Sequence, residues 1–169
     1  MTIREVTIED LYQLQNISKQ TFKETFSSAN TEENLQQYLD ECLSIETLKS
    51  ELSNPNSLFF FAIVNNHICG YLKLNSGEAQ TELKDDKGLE IERIYVLQQY
   101  QGQIVGQLLY DKAVAVAHDK QAAYIWLGVW EENHRAINFY KKNGFIAFDE
   151  HIFVLGSEAQ TDIMMKLTI

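Results

Sequence analysis

The sequence predicts an α/β protein whose one sheet contains strands of both directions. Three helical segments follow a short first strand, a hairpin of apolar strands comes next, and strands then alternate with helices. Tight turns connect antiparallel strands and helical crossovers connect parallel ones, so this order indicates a mixed sheet. The chain has 169 residues, of which 45% are hydrophobic. Because one core can hold a chain of this size, we predict a single domain over residues 1–169.

In the first half, capping residues and apolar spacings of three and four predict three helices. Thr7 and Asp10 have the pattern of a capping box in front of the first helix. Thr31 and Ser44 are suitable N-cap residues for the second and third helices. The predicted elements are a strand at 3–6, a helix at 7–26, a helix from 31 through Leu39, and a helix from 44 that ends before Pro55.

In the second half, apolar runs predict strands. The unbroken run at 58–64 indicates a buried strand, and the two asparagines at 65–66 suit a tight turn because asparagine tolerates positive φ. Asn133 begins a helix that Gly144 ends. The remaining predicted elements are a strand at 67–74, a solvated loop at 76–87, a strand at 89–96, a helix after residue 106, and strands at 123–130, 145–148 and 163–169.

The charge of the chain restricts its partners. Its 14 basic and 24 acidic residues give a net charge of −10. Nucleic-acid binding usually requires a basic face, so no nucleic-acid partner is expected. An acidic surface attracts cationic substrates, although it also serves simply to keep a protein soluble. No apolar run approaches the ~20 residues that span a bilayer, so no membrane partner is expected. The N-terminal residues lack the apolar segment of a signal peptide, and we expect a cytoplasmic protein.

No metal site is predicted. Cys42 and Cys69 are isolated in the sequence and are expected to be small buried hydrophobic residues. The four histidines lack the spacing of metal ligands, and each is expected to be a surface or strand residue. These histidines are His67, His118, His134 and His151.

The most informative stretch is a strand that enters a glycine-bearing turn and then a helix. Gly102 and Gly106 lie in this turn. Free backbone N–H groups and the positive end of the helix dipole favour an anion there, such as a pyrophosphate. An ordinary strand-to-helix turn with two glycines remains the alternative. The Walker pattern and the dinucleotide fingerprint are both absent from the sequence.

Two separated motifs resemble the Gcn5-related N-acetyltransferase (GNAT) family. The acetyl-CoA motif of that family, Gln/Arg-x-x-Gly-x-Gly/Ala, falls on residues 101–106, with Ile104 in place of its first glycine. The run at 127–131 and the N-terminal segment with its Thr-Phe pairs at 21–22 and 25–26 are similar to the bacterial branch that includes spermine/spermidine acetyltransferases. The downstream signature of the family is matched at Asn133, Ala136, Phe139, Tyr140, Gly144 and Phe145.

The resemblance implies a fold and a set of cofactor contacts. The implied fold is a mixed, mostly antiparallel sheet with splayed central strands, flanked by helices. Acetyl-CoA is the implied co-substrate, and Asn133 together with the backbones of Ile94 and Val96 is implied to contact its pantetheine arm. The β-branched Ile104 restricts the backbone angles, which affects the tightness of the pyrophosphate site rather than its existence. The residues implied around the pyrophosphate are Gln101, Gly102, Gln103, Val105, Gly106 and Gln107.

Tyr140 and Glu92 are predicted to carry the chemistry. Acyl transfer expels the CoA thiolate, and the resemblance implies that the Tyr140 hydroxyl donates a proton or a hydrogen bond to it. Packing of that ring on the apolar helix face is the alternative. A primary amine, with a pKa of ~10.4, is almost wholly protonated near pH 7, so a carboxylate is needed to remove its proton, directly or through water. Glu92 is placed for this, two residues before Ile94, while Glu90 and water remain alternatives.

The sequence thus predicts an acetyl-CoA-dependent N-acetyltransferase. Neither motif contains a cysteine, so the amine is expected to attack the thioester directly in a ternary complex. The expected partner is a small-molecule primary amine with positive charge, for example a polyamine, and Trp126 and Trp130 are core residues or a wall of its site. The alternatives are a peptide or protein amine, an amine antibiotic, or a CoA-binding sensor without turnover. A homodimer is left open.

Overall fold

The computed structural model describes all residues from 1 to 169, and it contains a seven-stranded sheet with five α-helices. Along the sheet the strand order is β1-β2-β3-β4-β5-β7-β6, and only the β4–β5 pair is parallel. The predicted mixed, mostly antiparallel sheet is therefore confirmed. The elements are β1 Thr2–Glu5, α1 Leu11–Phe26, α2 Glu32–Cys42, α3 Ile45–Ser53, β2 Ser57–Val64, β3 His67–Ser76, β4 Gly88–Val96, α4 Val105–Asp119, β5 Tyr124–Trp130, α5 His134–Lys142, β6 Ile146–Leu155 and β7 Glu158–Thr168.

Helices cover both faces of the sheet, and each face has its own apolar core. Helices α1–α3 pack on one face and α4 and α5 on the other. In β2, Phe59 and Phe61 point to the α1–α3 core, whereas Phe60 and Ala62 point to the α4–α5 core. A strand that is buried on both faces needs apolar residues at every position, which explains the unbroken apolar run. None of the helices is both long and apolar enough to cross a lipid bilayer.

Two sequence-based boundaries are wrong. Residues 8–10 form a 3₁₀ turn, so α1 begins at Leu11, although the capping box of Thr7 and Asp10 is present. The last two strands are also longer than predicted and form one hairpin around Gly156, whose φ is +60°. Most of β6 is exposed, and the polar stretch at 149–151 divides its apolar residues into two short runs, so it was not predicted as one continuous strand.

The two central strands separate halfway along the sheet. Strands β4 and β5 pair only from Gly88 to Glu90 on one side and from Tyr124 to Trp126 on the other. Beyond these positions β4 continues beside β3 and β5 continues beside β7, which leaves a gap between them. The splayed central strands implied by the family resemblance are therefore confirmed, and we call the point where they part the fork.

A β-bulge at Glu92 changes which residues of β4 face α1–α3. Lys73 of β3 pairs with Arg93, and the next residue, Leu74, pairs with Ile91, so that Glu92 is the extra residue. Before the bulge the even-numbered residues of β4 face α1–α3, and after it the odd-numbered ones do. The bulge thus brings Glu90 and Arg93, three positions apart, to the same face.

Candidate active site

A cavity of about 1000 Å³ occupies the gap beyond the fork and reaches both faces of the sheet. On the α4–α5 side it forms a groove, which we call the cofactor groove because it contains most of the residues predicted to bind acetyl-CoA. On the α1–α3 side it forms a chamber, which we call the acceptor chamber. Residues of the cofactor groove include Ile94, Val96, Gln101, Gly102, Gln103, Gly106, Gln107, Asn133, Phe139 and Tyr140. Residues of the acceptor chamber include Phe26, Tyr38, Glu82, Glu90, Glu92, Trp126, Trp130, His151, Phe153 and Asp162.

The loop from 101 to 107 presents unpaired backbone donors to the cofactor groove. None of the backbone N–H groups from Gly102 to Gln107 donates to a backbone carbonyl. Gly102 has a φ of +80°, which a residue with a side chain rarely adopts. A Cβ on Gly106 would have only Val96 Cγ2 nearby, at 4.0 Å, so this glycine leaves open space in front of the helix. A run of free donors at a helix N-terminus suits the pyrophosphate of acetyl-CoA.

Arg135, which the sequence analysis did not single out, lies beside this loop. Its Nη1 donates to Oε1 of Gln101 at 2.8 Å, and its Nη2 lies 3.6 Å from where a Cβ on Gly102 would be. Gln101 in turn donates from Nε2 to the carbonyl oxygen of Val96 at 3.0 Å. The groove therefore offers a cation as well as free N–H groups to an anionic ligand. The signal for Arg135 was its position two residues after Asn133, in the first turn of α5.

The open edge of β4 carries the backbone groups of Ile94 and Val96. The N–H of Leu97 donates to the carbonyl of Cys69 at 2.9 Å, so residues 97 and 95 hold the hydrogen-bonded pairs with β3. In an antiparallel ladder these alternate with pairs that point away from the partner strand. The N–H and C=O groups of Ile94 and the N–H of Val96 therefore point to the gap, where an extended amide-containing chain such as pantetheine can bond to them, while the Val96 carbonyl already accepts from Gln101.

Val105 differs from the other residues predicted to bind the cofactor. Its side chain is fully buried in the α4–α5 core and does not line the cavity. Its backbone N–H is free, so any contact that it makes with an anion is through the backbone. Ile104, in contrast, is 60% exposed. Asn133 caps α5 through Oδ1, which accepts from the N–H of Ala136 at 3.2 Å, and it also lines the groove.

Tyr140 packs in the core and also lines the cavity. Its ring contacts those of Phe139 and Phe145, with centroids 5.5 and 5.6 Å away. Burial raises the pKa of the Tyr140 phenol above its ordinary value, and no hydrogen bond or nearby charge contributes. The hydroxyl is therefore kept protonated and is free to donate. Both sequence-based readings, packing residue and proton donor, are compatible with this position.

Glu92 is held by two cations on the face of the acceptor chamber. Its Oε2 lies 2.5 Å from Nζ of Lys73, and its Oε1 lies 3.1 Å from Nη2 of Arg93. Glu51 of α3 pairs with the same two cations. Burial by itself raises the pKa of Glu92, but the charges of Arg93 and Lys73 outweigh it and hold that pKa below its ordinary value. A carboxylate stabilised in this way is a weak base.

Glu90 lies next to Glu92 but in different surroundings. Nδ2 of Asn75 donates to both carboxylates, at 3.0 Å for Glu90 and 2.6 Å for Glu92. Thr81 donates to Glu90 from its hydroxyl and from its backbone N–H. Burial raises the pKa of Glu90, only partly offset by the hydrogen bonds from Thr81 and Asn75. No Lys or Arg pairs with it, so Glu90 is a buried carboxylate that hydrogen bonds hold in place.

The acceptor chamber contains a second acidic group that the sequence analysis missed. Trp130, Asp162 and His151 lie opposite one another on β5, β7 and β6, with their side chains on one face. Nε2 of His151 is 3.8 Å from Oδ2 of Asp162, and Nδ1 of His151 is 3.4 Å from Oε1 of Glu82. His151 and Asp162 lie on strands whose full length was not predicted, so no sequence pattern indicated that they would lie together. No three His, Cys, Asp or Glu side chains converge in a metal-binding arrangement.

Aromatic rings form the other wall of the chamber. Phe26 lies 5.5 Å from Trp130 and 6.2 Å from Phe153, measured between ring centroids, and Tyr38 lies 5.9 Å from Phe153. These rings come from α1, α2, β5 and β6, so they meet only in the folded chain. Trp126 is buried, donates from Nε1 to Gln80 at 2.7 Å and also lines the cavity, and Trp130 lines it while half-buried.

A forked mixed sheet, a free-donor loop before a helix and a chamber on the opposite face are together typical of an acyl-CoA-dependent acyltransferase. Comparison with known proteins specifies the class. The model of the acetyltransferase (GNAT) family matches residues 11–145. The chain therefore belongs to the GNAT family, and it is an N-acetyltransferase with acetyl-CoA as its donor.

Relatives and solved structures agree with this assignment. An uncharacterized N-acetyltransferase of Lactobacillus delbrueckii subsp. lactis is 39% identical over 97% of this chain and 95% of its own. The spermidine N(1)-acetyltransferase of Thermoplasma acidophilum is 28% identical over 85% of this chain and 86% of its own. The crystal structure of the PaiA N-acetyltransferase of Thermoplasma acidophilum in complex with coenzyme A is similar with a TM-score of 0.82, at 25% identity, over 99% of this chain and 98% of that one.

Proposed function

We propose that the acceptor of this N-acetyltransferase is a small molecule with two or more amino groups, such as a polyamine. The observation that carries the proposal is a set of three carboxylates in the acceptor chamber that no Lys or Arg neutralises. These are Glu82, Glu90 and Asp162, of which the first and last contact only His151. A polycation supplies the positive charge that these three carboxylates lack.

The aromatic wall favours the same class of acceptor. An ammonium group within about 6 Å of a ring centroid is attracted to the ring face, and Phe26, Trp130 and Phe153 offer such faces next to the carboxylates. The methylene segments of a polyamine can pack on the same rings. The similarity to the spermidine N(1)-acetyltransferase of Thermoplasma acidophilum supports this acceptor class.

In the proposed reaction the neutral amine attacks the thioester carbonyl directly, in a ternary complex at the fork. The amine nitrogen forms a bond to the carbonyl carbon and loses a proton to a carboxylate of the chamber. The carbon–sulfur bond then breaks, the electron pair leaves with sulfur, and the Tyr140 hydroxyl gives sulfur its proton. Glu92 remains a prediction as the proton acceptor, and its ion pairs with Lys73 and Arg93 weaken it for that task.

The same proposal assigns the cofactor groove to acetyl-CoA. The free N–H groups of residues 102–107 and the side chains of Gln101 and Arg135 bind the pyrophosphate. The backbones of Ile94 and Val96, together with Asn133, hold the pantetheine arm along the open edge of β4. In this arrangement the thioester end of the pantetheine arm reaches the fork, close to Tyr140.

The test is a thioester-cleavage assay with acetyl-CoA and a panel of amines at two salt concentrations. Spermidine and spermine are expected to exceed monoamines of similar length in kcat/KM. Exposed charges are screened beyond about 10 Å at 0.1 M salt, so the long-range part of this advantage shrinks as salt rises, while monoamine rates hardly change. A preference that survives high salt indicates close pairing within the chamber.

Other amines in the panel decide between acceptor classes. A rate for a peptide with a free N-terminus, or for an amine antibiotic, that exceeds the polyamine rates would refute the polyamine proposal. The chain would still be an N-acetyltransferase, because that assignment rests on its family.

A further inference from the structure

We infer that Asp162 is the proton acceptor for the incoming amine, and that His151 and Glu82 carry the proton from it to solvent. The inference rests on the proposed function, since it concerns how the acceptor amine is deprotonated in the same chamber. It names a residue on β7 for a task that the sequence analysis expected of Glu92 on β4.

The position of Asp162 is the first argument. Its Oδ2 lies 3.4 Å from where a Cβ on Gly128 would be, and Gly128 is two residues beyond the last β5 residue paired with β4. The carboxylate is therefore beside the opening of the fork, next to the gap that admits the thioester. Residue 128 has no side chain, so β5 itself places no side chain here between the carboxylate and the gap, and the nearest atom to the missing Cβ is Cε1 of His151, at 3.3 Å.

The free lone pairs of Asp162 are the second argument. Glu90 accepts three hydrogen bonds, from Thr81 and Asn75, and Glu92 is paired with two cations. Asp162 contacts only the His151 ring, at 3.8 Å, and its side chain is 16% exposed. Among the carboxylates at the fork, it has the fewest competing partners for an ammonium proton.

A route for the proton is the third argument. His151 lies between two carboxylates, with Nε2 toward Asp162 and Nδ1 toward Glu82. Nδ1 is buried and makes no hydrogen bond within the protein, while the Glu82 side chain is 36% exposed. Neither contact is a hydrogen bond as the structure stands, so the proposed route requires a small movement of the imidazole, after which a proton taken by Asp162 passes through the ring to Glu82 and to water. In the complete step the ammonium group loses one proton by this route before it attacks and a second one after the bond to carbon has formed. Sulfur takes the Tyr140 proton and Tyr140 regains one from solvent, so one proton is released overall.

The electrostatics agree with this assignment. Burial raises the pKa of Asp162 to about 6, with His151 acting to lower it and Glu82 to raise it. These two are the charged groups that face Asp162, from β6 and from the loop before β4, while β5 contributes Gly128 and Trp130. A base is most effective when its pKa lies near the working pH, and this carboxylate meets that condition.

The pH profile of kcat at saturating acetyl-CoA tests the inference in the intact protein, with whichever amine the wild type acetylates fastest. For the wild type, kcat is expected to rise with pH through an apparent pKa near 6. Asp162→Asn is expected to lower kcat at pH 7 by about 100-fold and to abolish this acidic limb, the rise of kcat with pH. Its acetyl-CoA affinity, measured by calorimetry, is expected to stay the same. His151→Gln removes the group that lowers the pKa of Asp162, so the rise of kcat with pH in this variant is expected to move to higher pH.

Two further measurements separate a proton acceptor from a residue that only shapes the chamber. A fluorinated ethylamine, largely neutral at pH 7, needs less help from a base, so Asp162→Asn is expected to lose less than about tenfold with it. Glu150→Gln, on the exposed part of β6, removes the same charge and is expected to behave as wild type.

Two results would overturn the inference while leaving the proposed function intact. One is an Asp162→Asn enzyme within about threefold of wild type that keeps the acidic limb. The other is loss of that limb in Glu92→Gln but not in Asp162→Asn. Wild-type protein that acetylates no amine would overturn the proposed function, and this inference with it.

Discussion

The Nζ atom of Lys73 lies 2.5 Å from Oε2 of Glu92, and the lysine side chain is only 5% exposed. An ion pair so sheltered from water is costly to break, because the remaining charge is left without a partner. The carboxylate that the sequence offers as a base is therefore part of a charge network that joins β3, β4 and α3. Glu92 therefore has a role in stability that can be tested apart from its predicted role in catalysis.

Glu92→Gln is expected to lower the free energy of unfolding by about 2 kcal/mol, because Lys73 and Arg93 lose one of their two carboxylate partners. Glu51 remains paired with both cations, which limits the loss. Urea unfolding followed by circular dichroism measures it, with the exposed Glu150→Gln as the control. A midpoint equal to that of wild type would show that the network contributes little.

Gly106→Val is expected to weaken acetyl-CoA binding at least tenfold, about 1.4 kcal/mol, by filling the space before α4. A Cβ at this position meets no protein atom closer than 4.0 Å, so the fold itself should tolerate the change. Calorimetry with CoA measures the affinity. The companion Ile104→Gly restores the glycine of the family motif at an exposed position and should leave binding intact or improve it. Equal affinity of Gly106→Val and wild type would refute this placement of the pyrophosphate.

Tyr140→Phe is expected to reduce kcat by roughly ten- to a thousandfold, because it removes the proton donor but keeps the packed ring. The affinity for acetyl-CoA should change little. Steady-state rates with a saturating amine, combined with calorimetry, separate the two effects. A normal rate at neutral pH would leave Tyr140 as a packing residue only.

Asp162→Asn is expected to stabilise the protein above pH 6 while it impairs turnover. The folded-state pKa of about 6 lies above the ordinary value of 3.8, so the folded chain holds this proton more tightly than the unfolded one. The resulting stability is fully present below about pH 4 and is lost as pH rises through 6. At pH 7.5 the variant lacks the buried charge and should be more stable by about 1 kcal/mol, which is a rise in Tm of roughly 2–4 °C.

Scanning calorimetry of both proteins between pH 5 and pH 8 checks this prediction. The stability difference between variant and wild type should grow as pH rises through 6. A difference that stays constant over this range would mean that the Asp162 carboxylate titrates as it does in the unfolded chain.

The sequence by itself determined the fold family, and it predicted the residues of the cofactor groove. The turn at 101–106 and the helix from Asn133 are local features, in which residues close in the chain form caps and free donors, so their spacing is enough to recognise them. The buried strands were equally visible, because burial on both faces requires unbroken apolar runs such as 58–64.

Only the tertiary structure decided the acceptor half. The bulge at Glu92 changes which side chains of β4 share a face, and no local sequence pattern predicts its position. The partners of Glu92 come from β3 and α3 through Lys73 and Glu51. Asp162 and His151 meet across a hairpin whose apolar residues are interrupted by polar ones, and Glu82 joins them from a distant loop. Contacts between residues so far apart in the chain depend on strand order and register, which the whole sheet sets together.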